Sequence, residues 1–337
     1  MFSSVARRLR APVVGTIAAA LLATISVGTA SAAPAKSAEP HTWYVQTGTQ
    51  SPNMVIQGMV FLPGSITIDV GDTIVWRTGS AEPHTVTFNA PANAQFNPFA
   101  PAVGNGSNFD GSQYVSSGAM ANVSSAVAGF PTEQRFSLRF TKAGTFAYIC
   151  LVHPGMGGTV IVHPAGAPYP ESQRQYNEQS RHQASRIIAA GYRLRARDID
   201  ASNNHFVIVG DTNMEVGADV MAYMRSTVVI HVGQSVRFVN QSMEPHTVTV
   251  GAEIGDPTNP WCALDCSGST LPAQGPTFFG SYAATLSSAD AVFNSGWIFN
   301  GVSLTVTFTH PGVYTYHCAL HDYMGMTGKV IVTDDAD

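Results

Sequence analysis

Residues 66–88 read ITIDVGDTIVWRTGSAEPHTVTF, and residues 228–250 read VVIHVGQSVRFVNQSMEPHTVTV. They align without a gap at an offset of 162, pairing Val70-Gly71 with Val232-Gly233, Trp76 with Phe238, and Glu82-Pro83-His84-Thr85-Val86-Thr87 with Glu244-Pro245-His246-Thr247-Val248-Thr249. Self-similarity at a fixed distance marks a duplicated structural unit. A second pair follows, GTFAYICLVHPGMGGTVIV at 144–162 and GVYTYHCALHDYMGMTGKVIV at 312–332, with Cys150 and Cys318 now 168 apart. Each block has strand chemistry. Ile66, Ile68 and Val70 alternate with Thr67 and Asp69, a Gly-Asp or Gly-Gln turn follows, and a β-branched or aromatic run comes next. Loops rich in Gly, Ser, Asn and Pro, roughly 89–130 and 251–296, separate the parts of each unit.

Composition agrees with a duplicated β-rich chain. The 337 residues suit two domains. Only 12% are charged, about half the usual share, while Gly (31) and Pro (20) are plentiful. This excludes a coiled coil, a helical bundle and an acidic disordered protein. A net charge of −5 gives nucleic acid no reason to bind. Four cysteines are too few for a disulfide-built scaffold of this size.

Residues 1–32 read as a secretory signal peptide. Arg7, Arg8 and Arg10 form a positive start, an apolar stretch runs from Ala11 to about Val27, and Ala30-Ser31-Ala32 supplies a small-x-small cleavage pattern. A secreted or periplasmic location is expected, and no later run is apolar enough to span a membrane. The expected organisation is a first domain over 33–165, a linker over 166–200 with a helix over Glu171–Ala190, and a second domain over 201–337. The charge is uneven, since 201–337 carries three basic and twelve acidic groups against five and six in 33–165. An extended linker helix is expected to allow the two domains to stand well apart.

Each repeat carries the same donors in the same order. A His follows Glu-Pro; about seventy residues later come Cys-x-x-His and a nearby Met. The first set is His84, Cys150, His153 and Met156; the second is His246, Cys318, His321 and either Met324 or Met326. Two imidazoles, one thiolate and one weak thioether suit a copper ion that cycles between two oxidation states. A structural zinc site has no use for the thioether. Two complete sets outweigh the reading of these residues as ordinary buried His and Cys. His41, His163, His182, His205, His231 and His310 have no counterpart in the other repeat and are read as structural or surface residues.

Glu-Pro-His-Thr-Val-Thr, followed by Tyr-x-Cys-x-x-His and a Met-x-Gly-x-Val ending, resembles the plastocyanin group of cupredoxins, the blue copper proteins. The resemblance covers roughly 42–165 and 203–334. It implies an all-β chain of two Greek-key sandwiches, each with one type 1 copper, acting in electron transfer rather than as an enzyme. Cys150-x-x-His153-x-x-Met156 has the short loop of amicyanin. Cys318-x-x-His321-x4-Met326 has the plastocyanin spacing, which favours Met326, whereas distance from Cys318 alone favours Met324. The resemblance also implies that His153 and His321 lie near apolar docking surfaces, around Pro154–Gly157 and Asp322–Gly325, for redox partner proteins. The acidic second half suggests a basic partner.

Other functions in related proteins need more ligands. Multicopper oxidases use His-x-His pairs, and the sequence has none. Copper nitrite reductases carry a His five residues after the first ligand His, where this chain has Asn89 and Gly251, and another before the Cys, where only His317 fits. Met214, Met221, Met224 and Met243 raise the alternative of copper storage or delivery, although Met is also a common core filler. Cys262 and Cys266, with no counterpart in the first repeat, are expected to form a disulfide in an exported protein.

Overall fold

The alternating pattern at Ile66 forms the strand Ser65–Asp69, and Ile66 and Ile68 are buried. The next run forms Thr73–Thr78, burying Ile74 and Trp76. A strand with one buried face must pack against another layer, and two such layers make a sandwich. The computed structural model describes residues 39–251 and 281–334. The expected signal peptide and the Cys262/Cys266 pair lie outside the described residues.

Among the described residues, two smaller sheets and one large one build the fold. The first small sheet runs Ser65–Asp69, Gly157–His163, Gly144–Ile149, Thr87–Phe88, Val115–Ser116. The second runs Thr227–His231, Thr327–Thr333, Gly312–His317, Thr249–Val250, Phe293–Asn294. The large sheet has ten strands, in the order Tyr282–Leu286, Ser303–Phe308, Ser235–Gln241, Phe206–Asn213, Ala218–Tyr223, Ile56–Leu62, Thr42–Gln50, Thr73–Thr78, Arg135–Phe140, Ser107–Phe109. Its two halves are mirror-ordered copies of one five-strand set. Each half packs on its own small sheet, giving two all-β sandwiches.

The first core joins Trp43, Trp76, Phe88, Phe136 and Tyr148, and the second joins Tyr223, Phe238, Phe308, Tyr314 and Tyr316. Full burial of such rings contributes about 1.5–3 kcal/mol each. Both cores surround the Cys of their own repeat.

The halves meet edge to edge. Ile56–Leu62 pairs antiparallel with Ala218–Tyr223 in the register Ala218↔Gly58, Asp219↔Gln57, Val220↔Ile56. Asp219 lies 162 residues after Gln57, so the register is centred on equivalent positions. Flanking bonds obey the same symmetry, Met59 N donating to Gly217 O at 2.7 Å and Met221 N to Val55 O at 2.8 Å. A pseudo-two-fold axis therefore passes through the Gln57/Asp219 pair. Pairing these edges also removes two strand borders that would otherwise invite association.

The linker forms a helix longer than the Glu171–Ala190 expectation, running Gln173–Ala201. A capping box starts it: the Ser172 side chain accepts from Gln175 N, and the Gln175 side chain accepts from Ser172 N. Its buried residues include Ile187, Ala190, Gly191 and Leu194. Leu194 joins Ile56, Ile208, Val220, Ala222 and Met224 in a cluster drawn from both sides of the seam. The helix covers the junction, correcting the expectation of a spacer that lets the halves stand apart. The physical reason is its apolar stripe, which finds its cover on the seam strands rather than in solvent.

Candidate metal centres

Each centre is assembled at one end of a sandwich by a strand, a loop and a backbone clamp. In the first, Cys150 directly follows the strand Gly144–Ile149, and His153 and Met156 lie on the turn after it. Cys150 N donates to Met156 O at 2.9 Å, and Met156 N donates to His153 O at 3.1 Å. Three expected ligands are thus held on one closed turn. His84 enters from across the sheet, bridged by its backbone to Met120.

The donor atoms converge. His84 Nδ1 and His153 Nδ1 are 2.9 Å apart, and Cys150 Sγ lies 4.0 Å from the first and 3.5 Å from the second. In the other half, His246 Nδ1 and His321 Nδ1 are 3.1 Å apart, and Cys318 Sγ lies at 3.7 and 3.5 Å from them. All six residues are buried. The sulfurs receive matching backbone bonds, from Thr85 N at 3.3 Å and Thr247 N at 3.4 Å. Thr85 Oγ1 and Thr247 Oγ1 in turn accept from Leu151 N and Ala319 N.

The electrostatics favour thiolate in both places. Burial raises the Cys150 thiol, but His153 overrides it and leaves a net lowering. At Cys318 the same contest, with His321 and His246 opposing burial, ends well below the ordinary thiol range. Burial also lowers His153 and His321, yet Glu244 and the Cys150 thiolate push His153 well up, and the Cys318 thiolate carries His321 to about 9. His84 goes the other way, held well below its ordinary value by burial and then by His153. Two imidazoles and a thiolate kept dry and mutually aimed fit a copper ion.

The second ligand loop contains two more residues between His and the final Met than the first. The longer loop forms the three-residue turn Asp322–Met324, which ends on Gly325 at φ 84°. After it, Cys318 N donates to Met326 O at 3.0 Å, as Cys150 N does to Met156 O. Met326 joins the second core with Cys318, whereas Met324 belongs to the first core, as Met221 does. The extra turn diverts Met324 toward the opposite half.

Two glycines that sequence reading overlooked make room for the histidines. Gly48 (φ 72°) and Gly210 (φ 67°) lie at register shifts in their strands. A Cβ on Gly48 would fall 2.4 Å from His84 Nε2, and one on Gly210 would fall 2.3 Å from His246 Nε2. Their separation of 162 equals that of the histidines, which was the available signal. The halves differ just beyond. Ser80 Oγ is hydrogen-bonded with His84 Nε2 at 2.9 Å, but the equivalent Ser242 hydroxyl donates to Asp219.

His153 and His321 do not face outward. Each is only 3% exposed. His153 Nε2 lies 3.2 Å from Glu244 Oε1, and His321 Nε2 lies 3.5 Å from Glu82 Oε2, each carboxylate belonging to the other half. The pseudo-two-fold packing thus covers the histidines themselves, whereas Pro154, Gly155, Gly157 and Gly325 of the expected docking surfaces stay exposed.

Among the described residues, neither His317 nor any of the six unmatched histidines joins a cluster of metal-donor side chains. Met221 and Met224 are core residues, whereas Met214 and Met243 are exposed.

A sequence profile of copper binding proteins, the plastocyanin/azurin family, matches residues 48–163 and 210–333. Plastocyanin from Scenedesmus fuscus is 28% identical over 31% of this chain and 87% of its own. Amicyanin from Paracoccus denitrificans is 30% identical over 28% of this chain, which spans about half (52%) of that relative's length. Among solved structures, a Cu(I) amicyanin mutant is 25% identical over 36% of this chain and 82% of its own, with a TM-score of 0.23. No described helix is long and apolar enough to cross a membrane. With both halves matched by one profile around both His–Cys–His clusters, the chain belongs to the plastocyanin/azurin family of copper binding proteins.

Proposed function

We propose that this protein is an exported electron carrier with two type 1 copper ions. One is held by His84, Cys150, His153 and Met156; the other is held by His246, Cys318, His321 and Met326. The observation that carries this reading is the duplicated, buried convergence of two imidazole Nδ1 atoms on one thiolate sulfur. Bound copper supplies reversible one-electron chemistry. The chain's own residues keep the donors dry, aim them, and hold each sulfur with a backbone N–H.

The equivalent backbone clamps on Met156 and Met326 support Met326 as the axial donor. The apolar start of the chain and the Ala30-Ser31-Ala32 pattern support export, with domains over 33–165 and 201–337 and a linker over 166–200. Export in turn supports a Cys262–Cys266 disulfide. Redox partners are proteins, and the acidic second half favours a basic one. Copper storage has less support, because Met221 and Met224 are buried in the core rather than gathered at an open site.

Copper analysis of the purified protein, with optical and spin-resonance spectra recorded with and without nitrite, tests the assignment. Two type 1 coppers per chain and no nitrite-sensitive signal are expected. A further copper type, or copper readily lost to a chelator, contradicts it.

A further inference from the structure

Glu82 and Glu244 belong to neither ligand set, yet they are 2% and 7% exposed. Each precedes the first ligand histidine of its half by two residues. A buried carboxylate needs a compensating partner. Among the described residues, the ion-pair partners of these two are His153 and His321.

The geometry is shared rather than duplicated. Glu82 Oε1 lies 3.6 Å from His153 Nε2 in its own half, while Glu82 Oε2 lies 3.5 Å from His321 Nε2 in the other. Glu244 Oε1 lies 3.2 Å from His153 Nε2 across the interface. One carboxylate therefore touches the outer nitrogens of both histidines whose inner nitrogens face the two sulfurs. The packing of the halves gathers two acids and two imidazoles into one dry cluster.

Resting on the type 1 copper reading, we propose that Glu82 and Glu244 are positioning residues shared by both copper sites, joining them into one redox unit. The carboxylates hold His153 and His321, and their charge acts on both ions. An oxidised type 1 site carries one net positive charge, Cu(II) plus thiolate, and a reduced one carries none. Two positive sites balance the two carboxylates. The first electron, delivered by a redox protein, leaves one uncompensated negative charge. The second leaves two, so it enters less readily. Each step adds one electron to one ion; no bond forms or breaks.

The test separates shared from private carboxylates. Midpoint potentials are read by absorbance in single-copper chains, Cys318→Ala for the first site and Cys150→Ala for the second, each with and without Glu82→Gln. Removing the Glu82 charge should favour electron uptake at both sites, by about tenfold or more in the reduction equilibrium constant. Glu82→Asp should restore much of it. In the two-copper protein, the reduction curve should be broader than the sum of the single-copper curves. A Glu82→Gln shift confined to the first site, or a wild-type curve equal to that sum, overturns the proposal. Should the cysteine variants not fold, Glu82→Gln in the two-copper chain must raise both midpoints, and a rise in one alone overturns it. A purified chain without type 1 copper would instead overturn the carrier assignment itself, a result visible before any potential is measured.

Discussion

Gly210 shows how a residue without a side chain can govern a site. Its backbone is left-handed, and a Cβ added there would lie 2.3 Å from His246 Nε2, which leaves no room for alanine. Gly210→Ala should cost about 1–3 kcal/mol in strain and lower the copper affinity of the second site at least about tenfold. Copper competition against a chelator, compared with the intact first site, would measure it; unchanged affinity at both sites contradicts the account. Asp219 is a second case. Burial, and then the neighbouring Glu244, raise it to about 6 from 3.8. Its ionised form is disfavoured in the fold, so the unfolded chain loses its proton first. Stability therefore falls as pH rises from about 4 to about 6. In the metal-free protein, Asp219→Asn should add about 1–3 kcal/mol at pH 7 and nothing near pH 4, as denaturant midpoints would show. Equal effects at both pH values would count against it. The candidate ligands were legible because soft and imidazole donors at a repeated spacing have few other uses. Glu82 and Glu244 were visible in the repeat, but their partners come from the other half, which spacing along one chain does not reveal.

Among the elements, the helix Gln173–Ala201 was legible in part. A helix over Glu171–Ala190 was expected from the linker sequence, and in the structure Ser172 and Gln175 cap its start. Its length and its seat were not legible, because they follow from the seam it covers. Gly191 sits so close to the strand Ile56–Leu62 that a Cβ there would fall 2.3 Å from Ile56 Cγ2. Gly191→Leu should force helix and strand apart and destabilise the protein by about 1–3 kcal/mol. Chemical denaturation should show the loss, with copper spectra little changed because Gly191 touches neither centre. The turn Asp322–Met324 makes the same point in the second ligand loop. Counting from Cys318 left Met324 and Met326 as alternatives; the turn sends Met324 into the opposite core and brings Met326 O to Cys318 N.

For the whole molecule, continuity of the ten-stranded sheet and the helix across its seam make the two sandwiches one mechanical unit. The chain should unfold as one, with calorimetric and van't Hoff enthalpies agreeing. Two resolved transitions would show the halves to be independent. The sequence by itself determined the duplication, the β class and seven of the candidate ligands, leaving Met324 and Met326 open for the eighth, because strand alternation and metal chemistry are local and carry their own periodicities. Only the tertiary structure decided that the repeats face each other about the Gln57/Asp219 pair, burying His153 and His321 against Glu82 and Glu244. That outcome depends on pairing two strand edges 162 residues apart in the chain, a choice set by the fit of two finished surfaces rather than by either sequence repeat alone.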